Sequence, residues 1–255
     1  MRRMGAFFRK EMMELLRRKK LMIVGILFLL FGILGPATAK LTPEIIKMLG
    51  DSSVSGLTIT AEDVTVMDSW IQFFKNLDIP MIVIIIMWSS AFTTEYRQGT
   101  LIPLVTKGLS RTDIYAAKML MLHLVWTLGY LMYFGVVYGY NSYYWGNDGV
   151  KHMFVAILLN WLYGAFMMSL VGLFSAIAES GAQVMLGVGA VWFLCTLVGI
   201  VPKLADKLPT MLTDGMSLMR GVKSPGDYAV AVVITAVLTL AATFGGAVLM
   251  QRKKL

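Results

Sequence analysis

Charge is what this sequence has least of. Only 15% of its 255 residues are Asp, Glu, Lys or Arg, against roughly 25% in soluble domains. Apolar residues make up 57%, so too little polar surface remains to cover a soluble core of this length. A mean hydropathy of +0.71 also excludes a disordered chain. The single cysteine, Cys195, cannot form an internal disulfide and lies in an apolar run, so it reports nothing about redox compartment. No G-x-x-x-x-G-K-[ST] occurs, which excludes nucleotide binding through a P-loop, and C-x-x-C and H-E-x-x-H are absent too. Of the two histidines, His152 falls in a short loop. His123, with Ser169, lacks the third orienting group that nucleophilic catalysis requires. No catalytic residue, cofactor site or metal site is expected in this chain.

Long charge-free runs fill the space. A helix needs about 20 residues to cross the hydrocarbon core, and six runs qualify, with spans expected at 21–39, 73–94, 114–140, 153–178, 182–201 and 228–250. Barrel strands would be runs of about ten alternating residues, which these are not. Ala37-Thr38-Ala39 fits a small-x-small cleavage site, but the patterned basic lead and the length of the first run favour a span over a signal peptide. By this topology every Asp and Glu, Asp78 included, lies at or beyond an interface, which disfavours an ion-coupled transporter.

Orientation follows from the basic residues. With the N-terminus inside, 15 of the 23 Lys and Arg lie in cytoplasmic segments and 8 in outer ones, whereas acidic residues divide 5 inside and 10 outside. The net charge of +8 is therefore a positive-inside signature, and no nucleic-acid partner is implied. The expected fold class is an all-α integral membrane protein: six transmembrane helices behind an amphipathic interfacial helix, both termini cytoplasmic.

That N-terminal helix spans 1–20. Met4, Phe8, Met12, Leu15 and Leu16 share one face, while Arg9, Lys10, Glu14, Arg17 and Arg18 fill the other, as in a helix lying on the inner leaflet. In the first outer loop, Thr42-Pro43 followed by Gly50 predicts a short separate helix, and Thr60 with Asp63 predicts a capped start further on. Six Pro and Gly residues between 202 and 227 predict broken helices there. Tyr130, Tyr133, Phe134, Tyr138, Tyr140, Tyr143, Tyr144 and Trp145 read as an interfacial aromatic belt. Gly135/Gly139, Ala241/Gly245 and Ala242/Gly246 predict close helix approach.

The segment 95–118 is the most patterned piece. Glu95 stands where a helix ends, opposing its dipole, so it needs a cationic partner; Arg97, Arg111, Arg9, Lys10, Arg17 and Arg18 are the candidates. Gly99 can end that helix, residues 101–106 form a short apolar piece, and Ser110 with Asp113 starts the next span. On these residues alone, a capped loop and a docking element for a soluble partner fit equally.

Glu95, Gly99, Thr100, Ser110, Arg111 and Lys118 match, in order and spacing, the E-x-x-x-G-T … S-R … K pattern of type-2 export permeases. The chain resembles these membrane subunits of the ATP-binding-cassette superfamily over its whole length, 1–255 being one permease domain. Pro103 is unusual inside what would be the coupling helix. The resemblance implies Glu95, Gly99, Thr100, Leu101, Arg111 and Lys118 as residues that couple to the ATPase, together with Phe8, Arg9, Met12, Leu15 and Arg17 of the interfacial helix. It implies two P-loop subunits carrying ATP and Mg, a second copy of this chain or a similar permease, and a bacterial cell membrane. The nearly uncharged spans suit apolar or amphipathic cargo: peptide, drug or lipid. The 20 methionines offer adaptable surface or simple gap-filling. The alternatives are a non-transporting sensor, a toxin-immunity protein, or an intramembrane enzyme.

Overall fold

The computed structural model describes residues 2–51, 64–106 and 108–253, and every regular element among them is helical. Ser55, the Thr60/Asp63 capping signal and Lys254 lie outside the described residues. In chain order the helices are α1 (Arg2–Arg17), α2 (Lys20–Asp51), α3 (Val66–Asn76), α4 (Asp78–Arg97), α5 (Ile102–Thr106) and α6 (Arg111–Tyr144). There follow α7 (Met153–Ile177), α8 (Gly181–Val198), α9 (Pro202–Ala205), α10 (Gly215–Met219) and α11 (Ala229–Arg252). Six segments are long and apolar enough to cross a bilayer: Lys20–Glu44, Val66–Arg97, Arg111–Tyr144, Met153–Ile177, Gly181–Val198 and Pro225–Arg252.

Three expectations need correcting. Thr42-Pro43 and Gly50 do not delimit a separate helix; α2 runs through them, with Pro36 and Pro43 inside it. Each proline withholds an N–H from the helix ladder. Hydroxyls add donors in the same stretch, Thr38 Oγ1 donating to the Leu34 and Gly35 carbonyls at 2.8 and 2.9 Å and Thr42 Oγ1 to Thr38 O at 2.6 Å. The second crossing is two helices, not one: α3 opens on a Thr65–Asp68 capping box and the chain breaks at Leu77 before α4. Asp78 therefore sits at the break within the Val66–Arg97 segment, not at its edge as expected. The loop rich in Pro and Gly is broken as expected, into α9, a 3-10 turn at Pro209–Thr213, α10 and a 3-10 turn at Pro225–Tyr228.

The core is aromatic and lies where α2, α3, α6 and α7 meet. Water cannot drive helices together inside a bilayer, so packing and interhelical hydrogen bonds must. Phe28, Trp70, Phe73, Trp126, Tyr130 and Tyr133 are fully buried, and their rings contact one another edge-on, tilted or stacked. The Tyr130 hydroxyl donates to Ile157 O at 2.7 Å, Tyr133 to Phe73 O at 2.9 Å, and Trp126 Nε1 to Trp161 O at 3.1 Å. Tyr130 and Tyr133 thus belong to the core, not to the expected belt, whereas Tyr138, Tyr140, Tyr143 and Tyr144 are exposed.

Small residues mark the closest approaches, but not the predicted Gly135/Gly139 pair, around which a Cβ would meet nothing within 4 Å. Tight contacts include Gly164 under the Trp126 indole, Gly172 against Met119, Gly215 against Phe74 and Gly246 under the Tyr115 ring. α7 and α11 share the most extensive helix contact in the bundle, and Gly246 lets Tyr115 of α6 reach into that pair. A Cβ on residue 246 would lie 2.1 Å from the Tyr115 hydroxyl and 2.7 Å from its Cζ. Gly246→Ala should therefore lower the melting temperature in detergent, at a cost of about 1–3 kcal/mol. The penalty should shrink in a Tyr115→Leu background; equal penalties in both backgrounds would show that the two sites do not touch.

Candidate functional site

The end of α4 is closed by the two residues of the G-T pair. Gly99 takes φ +64°, a left-handed conformation that costs glycine nothing. Its N–H donates to Tyr96 O at 3.2 Å, and the Thr100 N–H and hydroxyl both donate to Glu95 O, at 3.2 and 3.4 Å. The motif thus satisfies carbonyls the helix leaves open. Leu101 follows, 1% exposed, and anchors the start of α5. Pro103 is the second residue of α5, where a proline loses no helical hydrogen bond, so it is compatible with that short helix.

α6 begins as expected, Ser110 Oγ accepting from the Asp113 N–H at 3.0 Å. Arg111 does not approach Glu95. Its Nη1 donates to Gln251 O at 3.1 Å and to Lys253 O, so its cation meets the carbonyls that end α11. Lys253 in turn donates to Ala178 O, just past α7, and lies 4.1 Å from the centre of the Tyr96 ring. Burial pushes the Lys253 amine below its usual range, with Glu179 acting in the opposite direction.

The partner of Glu95 is the motif's own lysine. Lys118 Nζ lies 3.0 Å from Glu95 Oε1 and 3.1 Å from Glu11 Oε2, with a longer contact of 3.4 Å to Ala91 O. The Phe92 ring covers it at 5.5 Å. Only 5% of the Lys118 side chain is exposed. Lys10 adds a second bridge, 3.0 Å from Glu11 Oε1, 3.3 Å from Glu14 Oε2 and 3.8 Å from Glu95 Oε1. Arg18 completes the set on Glu14 at 2.8 Å. Among the candidate cations only Lys10 reaches Glu95; Arg9 and Arg17 are exposed, and no ion pair joins Glu95 to them or to Arg97, Arg111 or Arg18 among the described residues.

Three cations and three carboxylates from α1, α4 and α6 thus converge around a cavity of about 380 Å³. Carboxylate oxygens of Glu11, Glu14 and Glu95 lie within 4.8 Å of one another, close enough for a metal ion. The Lys10 and Lys118 amines already stand on those carboxylates, so amines fill the role a metal would take. Glu95 Oε2 is buried without a hydrogen-bond partner among the described residues. Burial opposes ionisation of Glu11, but Lys118 and Lys10 outweigh it and hold its carboxyl below the usual range. Burial likewise opposes the charge on Lys10, and Glu11, Glu95 and Glu14 reverse it.

Glu11 is the residue that sequence reasoning missed. The buried stripe of α1 runs Phe7, Glu11, Leu15, with Phe8 and Met12 half-buried beside it, whereas Leu16 is 60% exposed. This stripe packs on α6 and α2, so protein takes much of the face expected to rest on lipid. A lone acid among i, i+4 apolar positions was the available signal. Lys19, at φ +56°, makes the turn that folds α1 back beside α2.

His123 and Ser169 do meet, Nε2 to Oγ at 3.1 Å, but as a helix tie. Nδ1 faces Met119 O at 2.9 Å, Ser169 donates to Ala165 O at 3.1 Å, and Thr243 donates to Ser169 at 3.2 Å. Ser169 is fully buried and, among the described residues, no carboxylate joins the group, which links α6, α7 and α11.

A family model described as an ABC-2 family transporter protein matches residues 6–219. No curated protein matches the chain. Every member of the ion cluster falls inside the matched stretch.

The lowered Glu11 pKa fixes a sign. Its stabilisation is fully present above the ordinary glutamate value of 4.5 and is lost as pH falls through the lowered value. The melting temperature should therefore drop as pH is brought from 6 towards 3. Glu11→Gln should start lower at pH 7 and decline less over that window. Parallel declines in parent and variant would remove Glu11 from the account.

Proposed function

The chain belongs to the ABC-2 transporter family, and on that premise we propose that it is the membrane permease of an ATP-driven exporter. In this reading two copies of the chain, or this chain with a similar one, form a path for an apolar or amphipathic substrate. Two separate P-loop subunits, which carry ATP and Mg, dock on the cytoplasmic side. Both termini, α1 and α5 face that side, as the excess of basic residues there favours. The permease itself has no P-loop and turns over no nucleotide.

The ion cluster is the observation that carries the reading. α5 is the short element between two spanning helices, and Leu101, Thr100 and Gly99 tie its start to the end of α4. Glu95 sits on that same end and grips Lys118 of α6, which grips Glu11 of α1. A push received at α5 is thereby delivered to α1, α4 and α6 together, without slack. Arg111 extends the same unit to α11. Phe8, Met12 and Leu15 hold α1 to the bundle, while Arg9 and Arg17 face outward, where phosphates of an anionic leaflet would meet them.

Two measurements test this. Purified chain in lipid should hydrolyse no ATP alone, and co-purified P-loop subunit should confer substrate-stimulated turnover. Glu95→Gln keeps size and removes charge, and Glu11 remains to hold Lys118. The complex should assemble, while stimulated ATPase and transport fall about tenfold, since a charge-assisted contact is worth about 1.5–3 kcal/mol. Parent-level rates in an intact complex would end the coupling role. For orientation, single cysteines at Thr106 and Thr213, on a Cys195→Ala background, should differ in intact cells. An impermeant thiol reagent should label position 213 and spare 106; the reverse pattern would invert the topology.

A further inference from the structure

Asp78 is an acid in the wrong neighbourhood. It stands, exposed, where α3 breaks into α4, within the segment Val66–Arg97 that is long and apolar enough to cross the bilayer. It does not cap α4, whose N-cap is Leu77 with no side-chain cap bond. Among the described residues its carboxylate has neither a hydrogen bond nor an ion pair. Lys75, one turn earlier, is exposed and is not bonded to it. The start of α4 lends partial positive charge, which helps the carboxylate remain ionised but does not complete its coordination.

Two cavities meet at this residue. One, of about 540 Å³, lies between α4, α7 and α8 and is walled by Met81, Ile85, Met167, Met185 and Val188. The other, of about 500 Å³, is more polar, with Asn160, Tyr163, Thr196, Thr210 and Thr213 around it and Lys75 in its wall, away from the apolar cavity, which Lys75 does not line. Asp78, Met81 and Trp192 border both. Each volume is of the size that holds a drug-like molecule, about 300–1,000 Å³.

From this juxtaposition we infer that the two cavities form a binding site for hydrophobic organic cations, with Asp78 as counter-ion. The apolar body of such a ligand fills the wall of methionine, isoleucine and valine. Three thioethers, from Met81, Met167 and Met185, can repack around bodies of different shape. The cationic centre sits at the junction, against the carboxylate, with the Trp192 and Tyr163 rings near enough to the junction to add cation–π attraction. An anion of the same shape, with its body in the apolar cavity, sets its charge against Asp78, because Lys75 does not line that cavity, and is disfavoured; a neutral isostere gains only the apolar contact. The inference rests on the permease reading for the ligand's fate as cargo, and it narrows the amphipathic class to one sign of charge. Binding itself requires neither ATP nor a partner.

The full chain in lipid nanodiscs would be titrated with tetraphenylphosphonium and, separately, with tetraphenylborate, which share shape and differ in sign, each corrected for empty discs. Saturable binding of the phosphonium alone is expected. Asp78→Asn should weaken it at least tenfold, and Asp78→Glu should restore most of it. Gly189 borders the apolar cavity, and a Cβ there meets nothing within 4 Å, so Gly189→Leu fills the space without straining the helix. That variant should melt no lower than the parent and still lose phosphonium binding. Equal saturable binding of both ions, no saturable binding of either, or parent-level affinity in Asp78→Asn and Gly189→Leu would overturn the assignment. These results stand apart from the ATPase measurement: a cation site without stimulated turnover would reject the exporter and keep the site, and the converse would do the opposite.

Discussion

A buried ammonium cannot be left alone, and Lys118 is the ammonium on which this bundle turns. Removing such a charge from water costs several kcal/mol, recovered only when good partners surround it. Glu11, Glu95, the Ala91 carbonyl and the Phe92 ring supply them from α1 and α4. None of these groups can leave without stranding the others, because Glu95 Oε2 already lacks a partner and Glu11 is almost fully buried. The requirement is local, but its effect is to make an N-terminal helix and two membrane helices behave as one part.

The opposite end of the bundle is built on another principle. There the holding forces are ring packing and single hydrogen bonds from Tyr130, Tyr133 and Trp126 to backbone carbonyls. Such contacts are directional and short-ranged, and they tolerate small slides of one helix on another better than a desolvated ion pair does. The molecule therefore pairs a stiff charged end with a more compliant aromatic one. Asp78 and its cavities lie towards the compliant end, in the path of any relative motion of α4 and α8.

Crossing number and helical class were legible because charge-free length is a direct demand of the bilayer. The closure of α4 by Gly99 and the cap at Ser110 were legible too, since each depends on residues within five positions. What resisted reading was every feature set by a neighbour distant in sequence. Glu95 had several nearby cations, and the one chosen, Lys118, is 23 residues away on the next span. Glu11 looked like one more charge on a charged helix until its face was known to be the buried one. Pro43 and Gly50 carried local start and stop signals that α2 runs straight through. Asp78 was taken for an interfacial residue, because a break at Leu77 leaves no clear sequence mark. The family match supplies class and says nothing of these pairings.

The stitching of α11 bears on how the protein can be cut. The family match stops at residue 219, short of α11. Yet α11 lines α7 for much of its length, receives Tyr115 on Gly246, ties Thr243 to Ser169 and offers its last carbonyls to Arg111. A fragment trimmed to the matched stretch would expose a long furrow on α7 and leave a guanidinium without acceptors. The recognisable sequence signature and the set of helices packed into the bundle are therefore different objects in this protein, the second larger than the first by one whole crossing.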